Sequence, residues 1–255
     1  MGEDGRRRFL QSSVFVGASL LLAGCNSKPD SPMQAGGEQP KEKKDGSKEA
    51  AGEVTATEDL MREHGVLRRA LLVYTEAALK LRSNPSAIDP GALQKTAKLF
   101  RAFGEDYHEK KLEEAYIFPA VKNSKENAGA YANIVDTLTA QHQRGREITD
   151  YIVEVASRPK LTTDSEPLAR TLDSFVLMYR NHAAREDTII FPAWKKTLSA
   201  RQLDEMNDKF EDIEHEQFGE DGYELAVKQI GDIETSLSLA DLAQFTAPPP
   251  PPVKA

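Results

Sequence analysis

The chain has 255 residues, a formal net charge of −8 and a single cysteine. One cysteine excludes intrachain disulfides, iron–sulfur clusters and cysteine-based zinc sites, so any metal must be held by histidine and carboxylate. The negative charge argues against nucleic acid as a partner, because phosphate backbones are met by basic faces.

Residues 1–25 read as an export signal. Arg6-Arg7-Arg8-Phe9-Leu10 leads into an apolar run from Ser12 to Ala23, which closes on Leu22-Ala23-Gly24-Cys25. A basic start, a short apolar segment and a small-residue cleavage site make a secretory signal, and the run is too short to span a bilayer comfortably. The arginine cluster resembles a twin-arginine signal, with Gly5 in place of the usual Ser or Thr, and LAGC resembles a bacterial lipobox. The resemblance implies cleavage before Cys25, lipid on its thiol, and a lipid-anchored protein on the periplasmic or cell-surface side of a bacterial membrane. Residues 26–53 hold Ser, Pro, Gly, Lys and Glu with almost nothing apolar. Such a stretch cannot bury enough surface to offset chain entropy, and it is expected to be a disordered tether.

From residue 54 the hydrophobic period is helical, and no alternating strand run appears. Helices are expected over about 56–82, from Asp89-Pro90 to about Val121, over about 127–157, and from Ser165-Glu166-Pro167 to about Leu198. Asp89 followed by proline is a cap residue with a first-turn proline. Long helices on short connections predict an all-α fold, an up-down-up-down four-helix bundle over 54–198. Ser199-Ala200-Arg201-Gln202 has the pattern of a capping box opening a fifth helix. A sixth, from about Asp221 to Leu237, is expected to pack on the bundle, so that 199–246 forms a C-terminal helical extension. Residues 247–255 make a proline-rich tail with no packing signal.

Four of the five histidines occupy inward stripes where leucine is expected. The stripes are Leu60, His64, Leu67, Leu71 on the first helix and Phe100, Gly104, His108, Leu112 on the second. The third carries Ile134, Leu138, His142, Ile148, Ile152, and the fourth Phe175, Tyr179, His182, Glu186, Ile189. One buried histidine is ordinarily a satisfied structural group. Four on four helices, with carboxylates beside them, are the donor set of a bundle metal site.

Two stretches nearly repeat one another: YHEKKLEEAYIFPAV from Tyr107 and NHAAREDTIIFPAW from Asn181. In the second, His182 and Glu186 are four apart and share a helix face. Aligning the Phe-Pro ends pairs Glu113 with Glu186, yet His108 precedes Glu113 by five residues. On a straight α-helix that step swings the carboxylate about 140° away. A π-bulge near Lys110-Lys111 would bring it back. The alternative is that Glu113 and Glu114 are a solvated pair and Glu109 serves instead.

Together, Glu63-His64, the two His…Glu…Phe-Pro blocks and Gln141-His142 resemble the hemerythrin-like, or HHE cation-binding, family over about residues 57–198. The resemblance implies a non-haem di-iron centre with His64, His108, Glu113, His142, His182 and Glu186 as ligands, Glu113 and Glu186 bridging. Oxygen-carrying members place two histidines four apart on the third helix; here the neighbours of His142 at that spacing are Leu138 and Arg146. His215 is therefore either a seventh ligand folded back onto the site or a surface residue in a charged segment. An open position at one iron favours reactivity over simple carriage. The leading expectation is a protein that binds O2 or a related small oxidant for binding, storage or sensing. Two others remain: a di-iron oxidoreductase acting on peroxide or nitric oxide, and a metal-binding structural or sensing module that docks a partner. Phe100, Phe103, Tyr107, Phe175 and Tyr179 either line an apolar pocket or simply form core, which their helical spacing also explains.

Overall fold

The computed structural model describes residues 54–125, 129–219 and 221–252. The export signal, Cys25 and the tether fall on residues outside these. Helix α1 (Ala56–Ser83) starts where the Thr55 hydroxyl accepts from the Glu58 amide. Its acidic first turn (Glu58, Asp59) and basic last turn (Lys80, Arg82) complement the helix dipole. After a 3-10 turn at Pro85–Ala87, Asp89 caps α2 (Pro90–Leu99) by accepting from the Gly91 amide. Helix α2 runs on without a break through a π-helical segment, Phe100–Ile117, into α3 (Phe118–Asn123). The third rod is α4 (Ala132–Ala156). The fourth is α5 (Ser165–Arg185), which passes through a second π segment, Glu186–Ile190, into α6 (Phe191–Lys196).

Both π segments end at a Phe-Pro step, and the chemistry of proline explains why. Pro119 and Pro192 have no amide proton, and each ring crowds the carbonyl four residues back, so α winding cannot continue through them unchanged. Instead the Phe118 amide reaches five residues back to the Glu113 carbonyl, and the Phe191 amide reaches Glu186 in the same way. Where the spacing predicts a local bulge near Lys110-Lys111, the π register extends over all of Phe100–Ile117.

Short links between successive rods give an antiparallel bundle, with α1 packed chiefly on α5 and α2 on α4. Helix α4 begins at Ala132, after Gly129 at φ 76°. Its buried stripe is Val135, Leu138, His142, Gly145, Thr149, Ile152, with Ile134 and Ile148 half-buried at its flanks. Steps of three and four from His142 reach Gly145 and Thr149, which places Ile148 off the seam. Below the histidines, Phe100, Phe175, Tyr74 and Tyr179 fill the core in edge-on contacts, Phe100 and Phe175 at 4.9 Å and 71°.

Helix α7 (Ala200–Phe218) opens with the full Ser199–Gln202 capping box. Gly219 (φ 80°) and Asp221 (φ 65°) then turn the chain into α8 (Gly222–Ser236). Phe210 of α7 stacks on Trp194 of α6 at 5.7 Å and meets Tyr116 edge-on. Helix α8, with Ile230 and Ile233 buried, lies across α1 and α2, and Arg69 donates to Glu234 at 2.9 Å. No helix among the described residues is long and apolar enough to cross a membrane.

Candidate metal centre

Each of the four rods carries one histidine to the same depth of the bundle. His64, His108, His142, His182, Glu113 and Glu186 are none of them more than 3 % exposed. The histidines face one another in two pairs: Nε2 of His64 lies 3.0 Å from Nε2 of His108, and His142 and His182 are related in the same way. The two carboxylates span the pairs. Glu113 sets Oε1 3.4 Å from His108 Nε2 and Oε2 3.3 Å from His142 Nε2. Glu186 sets Oε2 3.5 Å from His64 Nε2 and Oε1 2.8 Å from His182 Nε2. Each glutamate thus presents one oxygen to each pair. Glu113 reaches this position through the π winding, despite its five-residue distance from His108.

Each of these four histidines is oriented by an oxygen at its other ring nitrogen. Nδ1 of His64 meets Asp187 at 2.7 Å, His108 meets Glu63 at 2.6 Å, His142 meets Glu114 at 2.9 Å and His182 meets Gln141 at 3.0 Å. An oxygen at Nδ1 fixes the proton there and leaves Nε2 with its lone pair, which is how metal-binding histidines are held. Each partner is the chain neighbour of a site residue on another rod. Glu63 precedes His64, Gln141 precedes His142, Glu114 follows Glu113, and Asp187 follows Glu186. Sequence reading passed over all four as orienting groups, although each sits next to a candidate ligand. Arg68 pairs with Asp187 and Arg146 with Glu114, so two of these links reach the surface.

The donor set fits a pair of cations. Two imidazole lone pairs 3.0 Å apart need a proton or a cation between them. The four oxygens of Glu113 and Glu186 are fully buried without a hydrogen-bond partner, which in an ordinary core costs several kcal/mol. In the metal-free protein, charge separation takes the cations' place. Burial lowers His108, but Glu113 and Glu63 reverse this and hold it well above the ordinary imidazole range. Burial likewise lowers His142, while Glu109, Glu113 and Glu114 push it up to about 10. Burial raises Glu186, yet His182 and His64 outweigh it and hold the carboxyl well below its usual value. The same balance, against burial and Glu186, leaves Glu113 lowered by His108 and His142.

Beside the pairs lies a small cleft of about 10 Å³, lined by His64, His108, Glu109, Glu113, Tyr179 and Glu186 among others. Glu109 shares the burial but not the bridge: it accepts from the Tyr179 hydroxyl at 2.7 Å and from Arg146 at 3.3 Å. Burial raises the Glu109 carboxyl and, with Glu109, the Tyr179 phenol. Tyr179 reaches this far because α4 has a glycine opposite; a Cβ on Gly145 would sit 2.0 Å from the Tyr179 hydroxyl. Of the other aromatics weighed as pocket lining, Phe100 and Phe175 are core, and Phe103 and Tyr107 pack on Phe218 of α7.

His215 does not join the site. It is exposed on α7 and belongs to none of the histidine–carboxylate clusters among the described residues. The inward face of α7 carries Phe210, Ile213 and Glu214, and one residue further turns the side chain about 100° toward solvent.

The family model described as the hemerythrin HHE cation binding domain matches residues 55–194 and, in a second overlapping match, residues 133–247. An uncharacterized protein of Mycobacterium bovis and two of Mycobacterium tuberculosis strains are similar to the chain. Each is 39 % identical over 244 residues, covering 95 % of this chain and 91 % of the relative. No solved structure matches significantly. The first match runs from the cap of α1 to Trp194 and takes in all six converging histidines and glutamates, so the chain belongs to the hemerythrin HHE cation-binding family.

Proposed function

We propose that the chain is a non-haem di-iron protein that binds O2 or a related small oxidant, in binding, storage or sensing. The carrying observation is the pair of facing histidine dyads spanned by two carboxylates whose buried oxygens have no hydrogen-bond partner. In this reading His64 and His108 would hold one iron and His142 and His182 the other, with Glu113 and Glu186 offering one oxygen to each. Bound there, two irons would supply reversible electron transfer to a small oxidant. The protein orients the four imidazoles through their Nδ1 partners, excludes water with Phe118 and Phe191 stacked on the histidines, and leaves beside them a cleft of about 10 Å³, the room of a single water. Reduced, iron-loaded protein is expected to change its visible spectrum on exposure to O2 and to recover it when O2 is withdrawn. A spectrum indifferent to O2 contradicts this.

A second reading, an oxidoreductase acting on peroxide or nitric oxide, is favoured by one feature. The Tyr179 hydroxyl, bonded to Glu109, lines the cleft and can hold a proton beside the site. Sustained consumption of either compound, lost in Tyr179→Phe, supports it over carriage.

Export and lipid anchoring at Cys25 belong to the same proposal, on the strength of Arg6-Arg7-Arg8-Phe9-Leu10 and Leu22-Ala23-Gly24-Cys25. A twin-arginine route by resemblance moves folded protein, which would allow iron to be loaded before secretion. Cell fractionation should place the native chain in the membrane fraction and Cys25→Ala outside it; identical distributions contradict the anchor.

A further inference from the structure

One of the four Nδ1 links does not end at the bundle surface. Glu63, which orients His108, also accepts from the Tyr107 hydroxyl at 2.9 Å. The same hydroxyl lies 3.4 Å from Oε2 of Glu214 on α7. Oε1 of Glu214 in turn accepts from the Tyr223 amide, in the first turn of α8, at 2.7 Å. Glu63, Tyr107 and Glu214 are all essentially fully buried. The start of α8 is fitted to this contact: a Cβ on Gly222 would meet Glu214 Cγ at 2.8 Å and Oε1 at 2.9 Å. Phe218 holds Tyr107 from the same side, edge-on at 5.3 Å. The hydroxyl has one hydrogen, which the nearer Glu63 takes, so a chain of close polar contacts joins the N-terminus of α8 to the ring of one site histidine. The His142 link runs instead through Glu114 to Arg146, and His182 meets Gln141 directly.

We propose that Tyr107 and Glu214 are positioning residues through which α7 and α8 set the strength of His108 as a ligand, and with it the properties of one iron of the pair. The inference rests on the di-iron reading. A phenolic proton has one hydrogen to give. Donated to Glu63, it fixes the carboxylate in the plane that receives His108 Nδ1–H. Take that proton away and Glu63 is free to turn, so His108 is held less well. Orienting partners of this kind are worth roughly 10–100-fold in metal affinity. Because Glu63 meets the ring of His108, loss of the Tyr107 contact acts first on the iron held by His64 and His108 rather than on the one held by His142 and His182.

The test uses the full chain loaded with ferrous iron. Iron content, affinity by chelator competition, and Mössbauer spectra that resolve the two irons are compared for native protein, Tyr107→Phe and Tyr116→Phe. Tyr116 also faces α7, through Phe210, but lies outside the chain of contacts. Tyr107→Phe is expected to weaken binding of one iron at least about tenfold and to shift one of two iron signals, with the other signal and Tyr116→Phe unchanged. Glu214→Ala reads the same chain from its far end and should reproduce the one-sided shift, while Glu214→Gln, which keeps an oxygen for the Tyr223 amide, should largely restore the native signal. Native protein with two irons and an unaltered Tyr107→Phe overturns this inference alone. Equal shifts of both signals, or an equal effect of Tyr116→Phe, also overturn it. Native protein that takes up no iron overturns the di-iron reading and this inference with it.

Discussion

Four imidazoles and two carboxylates in one core would cost several kcal/mol each if left unsatisfied. Here each imidazole has an oxygen at Nδ1, and the cost concentrates on the Glu113 and Glu186 oxygens, where a cation could be held. Glu113→Gln is expected to lower iron content from two per chain to one or none, read by metal analysis; undiminished content contradicts a bridging role. Gly145 gives a second residue-scale prediction. Alanine in a helix ordinarily gains about 1 kcal/mol over glycine. At Gly145 the added Cβ collides with Tyr179, so Gly145→Ala should instead lose about 1–3 kcal/mol in denaturant unfolding. His142 supplies a pH dependence. Its folded pKa, raised to about 10, lies above the ordinary 6.5, so its protonated form stabilises the metal-free fold fully below pH 6.5. That contribution fades as pH climbs through about 10. A metal must displace the same proton, so metal affinity should rise with pH across this window, and a flat profile contradicts it. The histidines and Glu186 were legible because they stood at leucine positions of a regular stripe. Their Nδ1 partners were not, because each points to a different rod, and sequence spacing along one helix carries no information about that.

At the scale of elements, caps and prolines made the helix ends readable. Asp89-Pro90 opens α2, Ser199–Gln202 opens α7, and Asn84-Pro85 closes α1, each where the residue chemistry requires it. Periodicity assumes 3.6 residues per turn, however, and that assumption hid the extent of the π winding from Phe100 to Ile117. It also left Glu109 and Glu113 as rivals; the π register resolves them by turning Glu113 between the dyads and Glu109 toward Tyr179. On α7 the pair Glu214-His215 repeats the Glu63-His64 pair of α1 in type. Helical rotation buries the glutamate and exposes the histidine, and the tertiary register that decides this cannot be read from the pair itself. The extension is fastened by Phe210 between Trp194 and Tyr116. Phe210→Ala should cost about 3–5 kcal/mol by urea unfolding, and a loss near zero contradicts close packing of α7 on the bundle.

For the whole molecule, fold and site depend on one another. The rods bring together groups that no single helix could place, and cations binding there stabilise the folded chain over the unfolded one, by about 2.7 kcal/mol at a hundredfold excess over Kd. Chelated protein should therefore melt at a lower temperature than loaded protein, and restored iron should return the difference. The all-helical bundle was legible from periodicity and short links; the way α7 and α8 seal it beside His108 was not, because it depends on side chains distant in sequence. The most direct test is the metal content of purified full-length protein, folded in the presence of iron, together with its optical spectrum under air and after reduction. Two irons per chain, with a spectrum that differs between the two conditions, is the expected result. Protein that is folded yet holds no iron, manganese or zinc would contradict the metal centre itself.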